Sequence, residues 1–491
     1  MLEEVKVISS VKSINCLHFI NGEYVSSLNN KTFENINPAT EEVLGTVAEG
    51  GKEEVDLAVR AARRALNGPW KNTTVQERSK ILRRIGDLIL ERQEELAYLE
   101  SLDTGKPVSL ANKIDIPRAA YNFHFYADYI VGVNTDANEQ DDVALHYTLR
   151  RPVGVVGIIK PWNLPLLLLT WKLAPCLAMG NTCVIKPAEW TPMTATVLME
   201  IMKEAGLPDG VANLVHGFGP NSAGGAISEH PDIDAISFIG EPGTGAAIMR
   251  SAAQNLKKLS FELGGKNPNI IFADADLDDC IETTIRSSFV NQGEVCLCGS
   301  RIYVERPIYN EFIDRFVAKT KELNVGDPLK EETTTGALVS KEHYDRVFSY
   351  IDSAKADGAN ILTGGKRPEG LEKGYYLEPT IITGLHDDAR CVREEIFGPV
   401  VTVMPFDSED EVITKANDTH YGLAATVWTS NVKRAVRVTR NLEAGVIWVN
   451  TWFLRDLRTP FGGMKHSGIG RTGGMHSIDF YSDFSNVTLK Y

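Results

Sequence analysis

A doubly wound α/β fold followed by a second α/β unit is the architecture this chain predicts, and three observations carry it. Strand-like runs at 153–159, 182–186, 213–216, 235–239 and 269–272 alternate with helix-like segments. That alternation implies parallel strands joined by crossover helices, with ligands at the carboxyl ends of the strands. Phe238-Ile239-Gly240-Glu241-Pro242-Gly243-Thr244-Gly245 follows one such strand and opens a helix, where backbone amides and the helix dipole can meet a phosphate. It matches neither a G-x-G-x-x-G nor a Walker pattern, so a plain tight turn explains it equally well. Finally, 491 residues exceed one core, and after Glu262 the alternation resumes with a helix near 281–289, a strand near 301–304 and a helix near 309–323.

Taken in order, His18 to Val25 reads as an opening hairpin, because Asn21-Gly22 tolerates positive φ at both turn positions. Val55, Val59, Ala62 and Leu66 fall at helix spacing until Gly68-Pro69. Thr74-Val75-Gln76-Glu77 is a capping box ahead of one long helix to about Asp103, ended by Gly105-Lys106-Pro107. Asp115-Ile116-Pro117-Arg118 begins another, with proline in its first turn. Residues 134–142 are polar and turn-rich, an exposed excursion, and 144–151 alternates like a strand. Near the end, 486–490 is strand-like and able to pair elsewhere.

Composition narrows the function. A hydrophobic share of 43% and a charged share of 24% are ordinary for a globular protein, and no apolar run approaches the ~20 residues that span a bilayer. A formal charge of −14 argues against nucleic acid or an anionic membrane as partner. Seven scattered cysteines (16, 176, 183, 280, 296, 298 and 391) suit reduced thiols, and the acidic start, Met1-Leu2-Glu3-Glu4, lacks a hydrophobic signal core. A cytoplasmic location is expected. Cys296-Leu297-Cys298 has no second ligand pair at zinc spacing, so no metal is expected.

The chemistry is expected at Asn291-Gln292-Gly293-Glu294-Val295-Cys296. A lone cysteine is often only a small buried hydrophobe. As a nucleophile it needs a base or an electropositive pocket, and Glu262, beside Gly264-Gly265, is a candidate carboxylate. Glu189, at the strand end Lys186-Pro187-Ala188-Glu189, is either a solvated helix-start residue or a ligand for ribose hydroxyls that would repel a 2′-phosphate.

Six motifs in order then carry a resemblance to the aldehyde dehydrogenase superfamily along essentially the whole chain: Pro161-Trp162-Asn163-Leu164-Pro165, Lys186 to Glu189, Phe261-Glu262-Leu263-Gly264-Gly265-Lys266, Gly293 to Cys296, Glu395-Ile396-Phe397-Gly398-Pro399 and Pro460-Phe461-Gly462-Gly463. The resemblance implies a Rossmann-like NAD-binding domain (1–130 and 153–261), a catalytic domain (262–465) and oligomerisation strands (131–152 and 476–491) of a homodimer or homotetramer, with 131–152 and 486–490 pairing across subunits. It implies that Cys296 attacks the aldehyde carbon, that Asn163 and the Cys296 N–H hold the oxyanion, and that Glu262 activates the water that hydrolyses the thioester. It places Lys186 and Glu189 on the adenosine ribose, Gly240 and Gly245 at the pyrophosphate, and Glu395, Phe397 and Trp162 at the nicotinamide end, with NAD favoured by Glu189. Glu241 departs from the serine common in relatives, so either it faces solvent or the phosphates sit differently.

Asp115 to Arg118, Asn163 to Leu166 and Trp452 to Pro460 resemble the branch acting on 2-hydroxymuconic and 2-aminomuconic semialdehydes. That implies Arg118 and Arg455 on a substrate carboxylate, with Trp171 and Phe461 lining the pocket and Arg458 turned away. The alternatives are a betaine-type or broad aliphatic dehydrogenase, or a structural protein that kept the fold.

Overall fold

The computed structural model describes residues 14–491. The opening hairpin forms from β1 (His18–Ile20) and β2 (Glu23–Val25), with Asn21 at φ 55° and Gly22 at φ 84°. Four parallel crossovers then lay down β3 (Val155–Ile159), β4 (Thr182–Lys186), β5 (Ala212–Leu214), β6 (Ala235–Ile239) and β7 (Lys258–Glu262). The second sheet contains β8 (Pro268–Ile271), β9 (Arg301–Glu305), β10 (Asn360–Thr363), β11 (Thr380–Thr383), β12 (Val400–Phe406), β13 (Ala424–Trp428) and β14 (Val446–Val449). Its order is β10-β11-β12-β9-β8-β13-β14. The chain then returns to the first sheet with β15 (Gly468–Ile469), giving β15-β7-β6-β3-β4-β5-β1-β2.

That order places the site. From β3 the chain winds outward to β4 and β5, then crosses back to lay β6 against β3 on the other side. The crevice at the carboxyl ends of β3 and β6 is therefore the point where strand order reverses. Helix α1 (Pro165–Ala178) leaves β3 there and helix α2 (Pro242–Ala253) leaves β6. The sheet is packed on both sides, one core gathering Ile158, Leu173 and Cys176, the other Val155, Phe261 and Ile248.

Three expectations are corrected. The long helix after the capping box breaks at Arg92 into Val75–Glu91 and Gln93–Thr104, and the second piece turns inward so that Leu99 to Thr104 are all buried. The helix expected to start at Asp115 is entered earlier, through Val108–Leu110 and a wide turn at Ala111–Asp115. Pro117 has no N–H for the carbonyl four residues back, and the wider turn absorbs that mismatch. Lys258–Glu262, which the sequence reading did not single out as a strand, is β7, so Glu262 ends a sheet element. The terminal strand Ser482–Lys490 pairs along its whole length with Ala144–Pro152 of the same chain, with Ala137–Gln140 on the far side.

Candidate active site

A cleft of about 370 Å³ opens at the switch point, and Asn163, Gly240, Glu262, Cys296, Glu395 and Phe397 all line it. Residues from β3, β6, β7 and the second sheet's loops thus meet. The loop that delivers Cys296 is strained: Asn291, Gln292 and Gly293 have φ 53°, 54° and 71° in succession. A Cβ on Gly293 would lie 2.2 Å from the Gly398 carbonyl oxygen. Left-handed non-glycine residues persist only where surroundings hold them. Here Asn291 Nδ2 donates to the Asn163 carbonyl at 3.1 Å, and the buried Glu294 accepts from the Val339 N–H at 3.1 Å.

Asn163 does not cap α1, whose first turn starts after Leu164 without a side-chain bond. Its Nδ2 donates to the Glu294 carbonyl at 2.8 Å, which fixes the amide with one N–H left over. Cys296 is half-buried, and its carbonyl is held by Asn267 Nδ2 at 2.8 Å. Burial pushes the Cys296 thiol above its ordinary range, and Glu395 and Glu262 push the same way against Arg455. Cys296 rests as a thiol.

Glu262 is 4% exposed. Thr472 Oγ1 donates to its Oε1 at 2.8 Å and Lys172 Nζ lies 3.5 Å from the same oxygen, while Oε2 has no protein partner among the described residues. Burial raises its carboxyl against the opposing pull of Lys172 and Thr472. Glu395 is raised to about 7 by burial, although the Gly265 N–H donates to it at 2.9 Å. A buried carboxyl with one free oxygen, as Glu262 has, is what a proton-transfer site requires.

At the other end of the cleft, Lys186 Nζ donates to the Pro187 carbonyl at 2.8 Å and to Glu189 at 3.3 Å, leaving Glu189 half-buried at the cleft wall. Gly240 lines the cleft, whereas Gly245 lies beneath it: a Cβ there would stand 3.0 Å from Leu263. The first turn of α2 carries no side-chain cap, so its amides remain for an anion. Glu241 is exposed, 3.8 Å from Arg346, and does not cap that helix. Phe397, at φ 60°, sets its ring 5.2 Å edge-on from Trp162. His343 was not foreseen: its ring contacts Trp162 at 4.9 Å, and its Nε2 stands 2.7 Å from the Phe397 carbonyl.

The two arginines come together from distant segments. The Arg455 guanidinium lies 4.6 Å from the Trp171 ring and 4.0 Å from the Phe461 ring, in the apolar cluster against which Cys296 packs. Arg118 sits over Tyr121 at 5.1 Å. Neither guanidinium has a hydrogen bond or ion pair among the described residues, and each is near enough to Cys296, Glu262 or Asp456 to feel its charge. Burial and Arg118 bring Arg455 down to about 10. Arg458, by contrast, is exposed and forks onto Asp456 with contacts of 3.0 and 2.6 Å.

A half-buried thiol that shares its cleft with an amide donor and a carboxyl, at the mouth of a dinucleotide-type crevice, defines a class of covalent oxidoreductase. The sequence profile of the aldehyde dehydrogenase family matches residues 24–487. The chain is 53% identical over 480 residues to a 2-hydroxymuconic semialdehyde dehydrogenase of a Pseudomonas species (strain CF600), covering 96% of this chain and 99% of that one. It is 52% identical to a Pseudomonas 2-aminomuconic 6-semialdehyde dehydrogenase, covering 96% and 97%. The NAD+ complex of an aldehyde dehydrogenase from Bacillus cereus superposes with a TM-score of 0.96 at 44% identity, covering 99% and 98%. The chain belongs to the aldehyde dehydrogenase family.

Proposed function

We propose that the protein oxidises a carboxylate-bearing semialdehyde of the muconic type, 2-hydroxymuconic or 2-aminomuconic semialdehyde, to the dicarboxylic acid with NAD as acceptor, in the breakdown of aromatic compounds or tryptophan. The observation that carries the substrate is the Arg118–Arg455 pair: two half-buried cations without anionic partners among the described residues, of which Arg455 is near enough to Cys296 to feel its charge. An unpaired buried charge is costly, and a planar carboxylate removes that cost by accepting from both guanidiniums. The 2-hydroxy and 2-amino compounds share that carboxylate. A cationic betaine-type aldehyde would meet repulsion from the same pair.

The residues at the cleft fit a dinucleotide. The uncapped amides of α2 suit a diphosphate, and a Cβ on Gly264, 1.9 Å from Glu395 Oε2, would displace that carboxyl. Glu189 with Lys186 would hold the adenosine ribose, Gly240 the pyrophosphate, and Glu395, Phe397 and Trp162 the nicotinamide end. Gly245 serves by letting α2 pack closely. Bound there, the dinucleotide supplies the two-electron acceptor. Glu262, through its free oxygen, takes the proton of the Cys296 thiol, and the sulfur attacks the aldehyde carbon. The spare Asn163 N–H and the Cys296 N–H meet the oxyanion, a contribution of roughly 2.7–4 kcal/mol per donor. After oxidation Glu262 takes a proton from the water that cleaves the thioester. Trp171 and Phe461, in the apolar cluster against which Cys296 packs, would wall the substrate end.

The test is direct. Purified enzyme with NAD should show kcat/KM for the semialdehyde acid at least about tenfold above that for an uncharged aldehyde of like length, from one charge-assisted contact or more. Equal values would contradict the substrate assignment.

The first sheet and its helices form the nucleotide-binding unit, the second sheet the catalytic unit, and the three-stranded sheet at 137–152 and 482–490 the oligomerisation unit. Its open edges and the exposed Phe484, Leu489, Tyr147 and Leu149 support assembly as a homodimer or homotetramer. Sedimentation should give no monomer at micromolar concentration, and a monodisperse monomer would refute it. Among the described residues no helix is long and apolar enough to cross a membrane. Seven unpaired cysteines suit the reducing cytoplasm.

A further inference from the structure

Lys160 is a buried amine that the chemistry above leaves unused. It follows β3 by one residue, and its N–H bonds to the Lys186 carbonyl at 3.0 Å. Register pairs Phe238 with Ile159 and Ile239 with Glu262, so Lys160, Ile239 and Glu262 end three adjacent strands at one level. Two strand spacings separate Lys160 from Glu262, about 10 Å at the backbone, which a lysine and a glutamate side chain can close between them. Lys160 is 4% exposed, and its Nζ meets no hydrogen-bond partner among the described residues. Lys172 and Cys176 face it from α1 and Glu262 from β7, near enough for their charges to act on it.

The charge balance is informative. Glu262 and Lys172 neutralise one another at 3.5 Å, and Lys172 also bonds Thr472. A second ammonium in the same enclosure would have no counter-charge, so Lys160 rests as a neutral amine with its lone pair free. Burial and Lys172 both hold its pKa down, against Glu262 and Cys176.

The reaction asks Glu262 to accept a proton twice per turnover, first from the thiol and then from water. The first proton must leave the carboxyl before the second can arrive. We propose that Lys160 is the reservoir that receives it, a residue acting through Glu262 and not itself in contact with substrate. This rests on the reading of Glu262 as the general base. The proton passes from the Glu262 carboxyl to the Lys160 lone pair, which gives carboxylate and ammonium with no change in oxidation state. Glu262 then takes a proton from water as the oxygen bonds to the thioester carbon, and hands it to the Cys296 sulfur as the C–S bond breaks, which restores the thiol and leaves Glu262 a carboxylate. The ammonium returns its proton through Glu262 to water entering the cleft after product leaves.

The test pairs Lys160→Met with Lys160→Arg, and carries Glu262→Ala alongside. Rapid mixing follows NADH formation, and intact-mass spectrometry of quenched enzyme follows the thioacyl adduct. Lys160→Met should keep the NADH burst while the steady phase slows tenfold or more, with the adduct accumulating. The defect should shrink between pH 7 and pH 9, as hydroxide in the cleft takes over. Lys160→Arg, charged but without a lone pair, should be as slow. A steady phase and pH profile of Lys160→Met equal to wild type would overturn the proposal, as would equal loss of burst and steady phase, or full rescue by Lys160→Arg. If Glu262→Ala fails to accumulate the adduct, the base assignment falls instead.

Discussion

Cys296→Ala should lower aldehyde oxidation by at least about a thousandfold while leaving NAD affinity within about twofold, because removing a nucleophile removes the covalent route altogether. The loop should survive the change. Its carbonyls are held by Asn267 on Cys296 and by Trp452 Nε1 on Leu297 at 2.9 Å, and neither bond uses the sulfur. Cys298 is not a substitute: it is buried in the cluster beneath, and its thiol is pushed up to about 12 by burial. Cofactor titration followed by NADH formation at 340 nm separates the two effects. Turnover within tenfold of wild type would remove Cys296 from the mechanism.

Glu262→Ala should split the reaction in time. Thiol attack can still draw on Glu395, which lines the same cleft and is raised to about 7 by burial, but among the described residues no other carboxyl has a free oxygen beside Thr472 and Lys172 for water. One equivalent of NADH should appear in a burst, followed by a steady phase slower by about a hundredfold or more, the usual scale of a lost general base. Equal slowing of both phases would make Glu262 a structural residue. Lys172 sharpens the expectation: with Glu262 gone, its ammonium loses the carboxylate that neutralises it, so Glu262→Gln, which keeps the shape and the Thr472 contact, is the cleaner companion variant.

Much of this was legible locally. Asn21-Gly22 and Thr74 to Glu77 announce a turn and a cap whose physics lies within four residues, and both form as read. Lys258-Leu259-Ser260-Phe261-Glu262 alternates polar and apolar as a half-buried strand does, and β7 forms there. The break at Arg92 has no proline or glycine to mark it; it comes from the second piece docking inward. The remaining surprises are tertiary. His343 reaches Phe397, and Glu294 braces Asn163, across intervals that no periodicity spans. Lys160, one residue past the strand-like run 153–159, carries no local signal of burial, and only the fold encloses it. The resemblance pairs Arg118 with Arg455; the geometry adds that both lack partners among the described residues and that aromatic rings flank Arg455.

The central claim is that a substrate carboxylate completes those two arginines while its aldehyde reaches Cys296. The measurement that tests it most directly is kcat/KM for a semialdehyde acid and for an uncharged aldehyde of equal length, in wild type and in Arg455→Ala. One lost charge-assisted contact is typically about 1.5–3 kcal/mol, so the acid should lose roughly ten- to a hundredfold while the uncharged aldehyde changes by less than about threefold. Damage to the thiol or the fold lowers both alike, so equal losses on the two substrates would contradict the account.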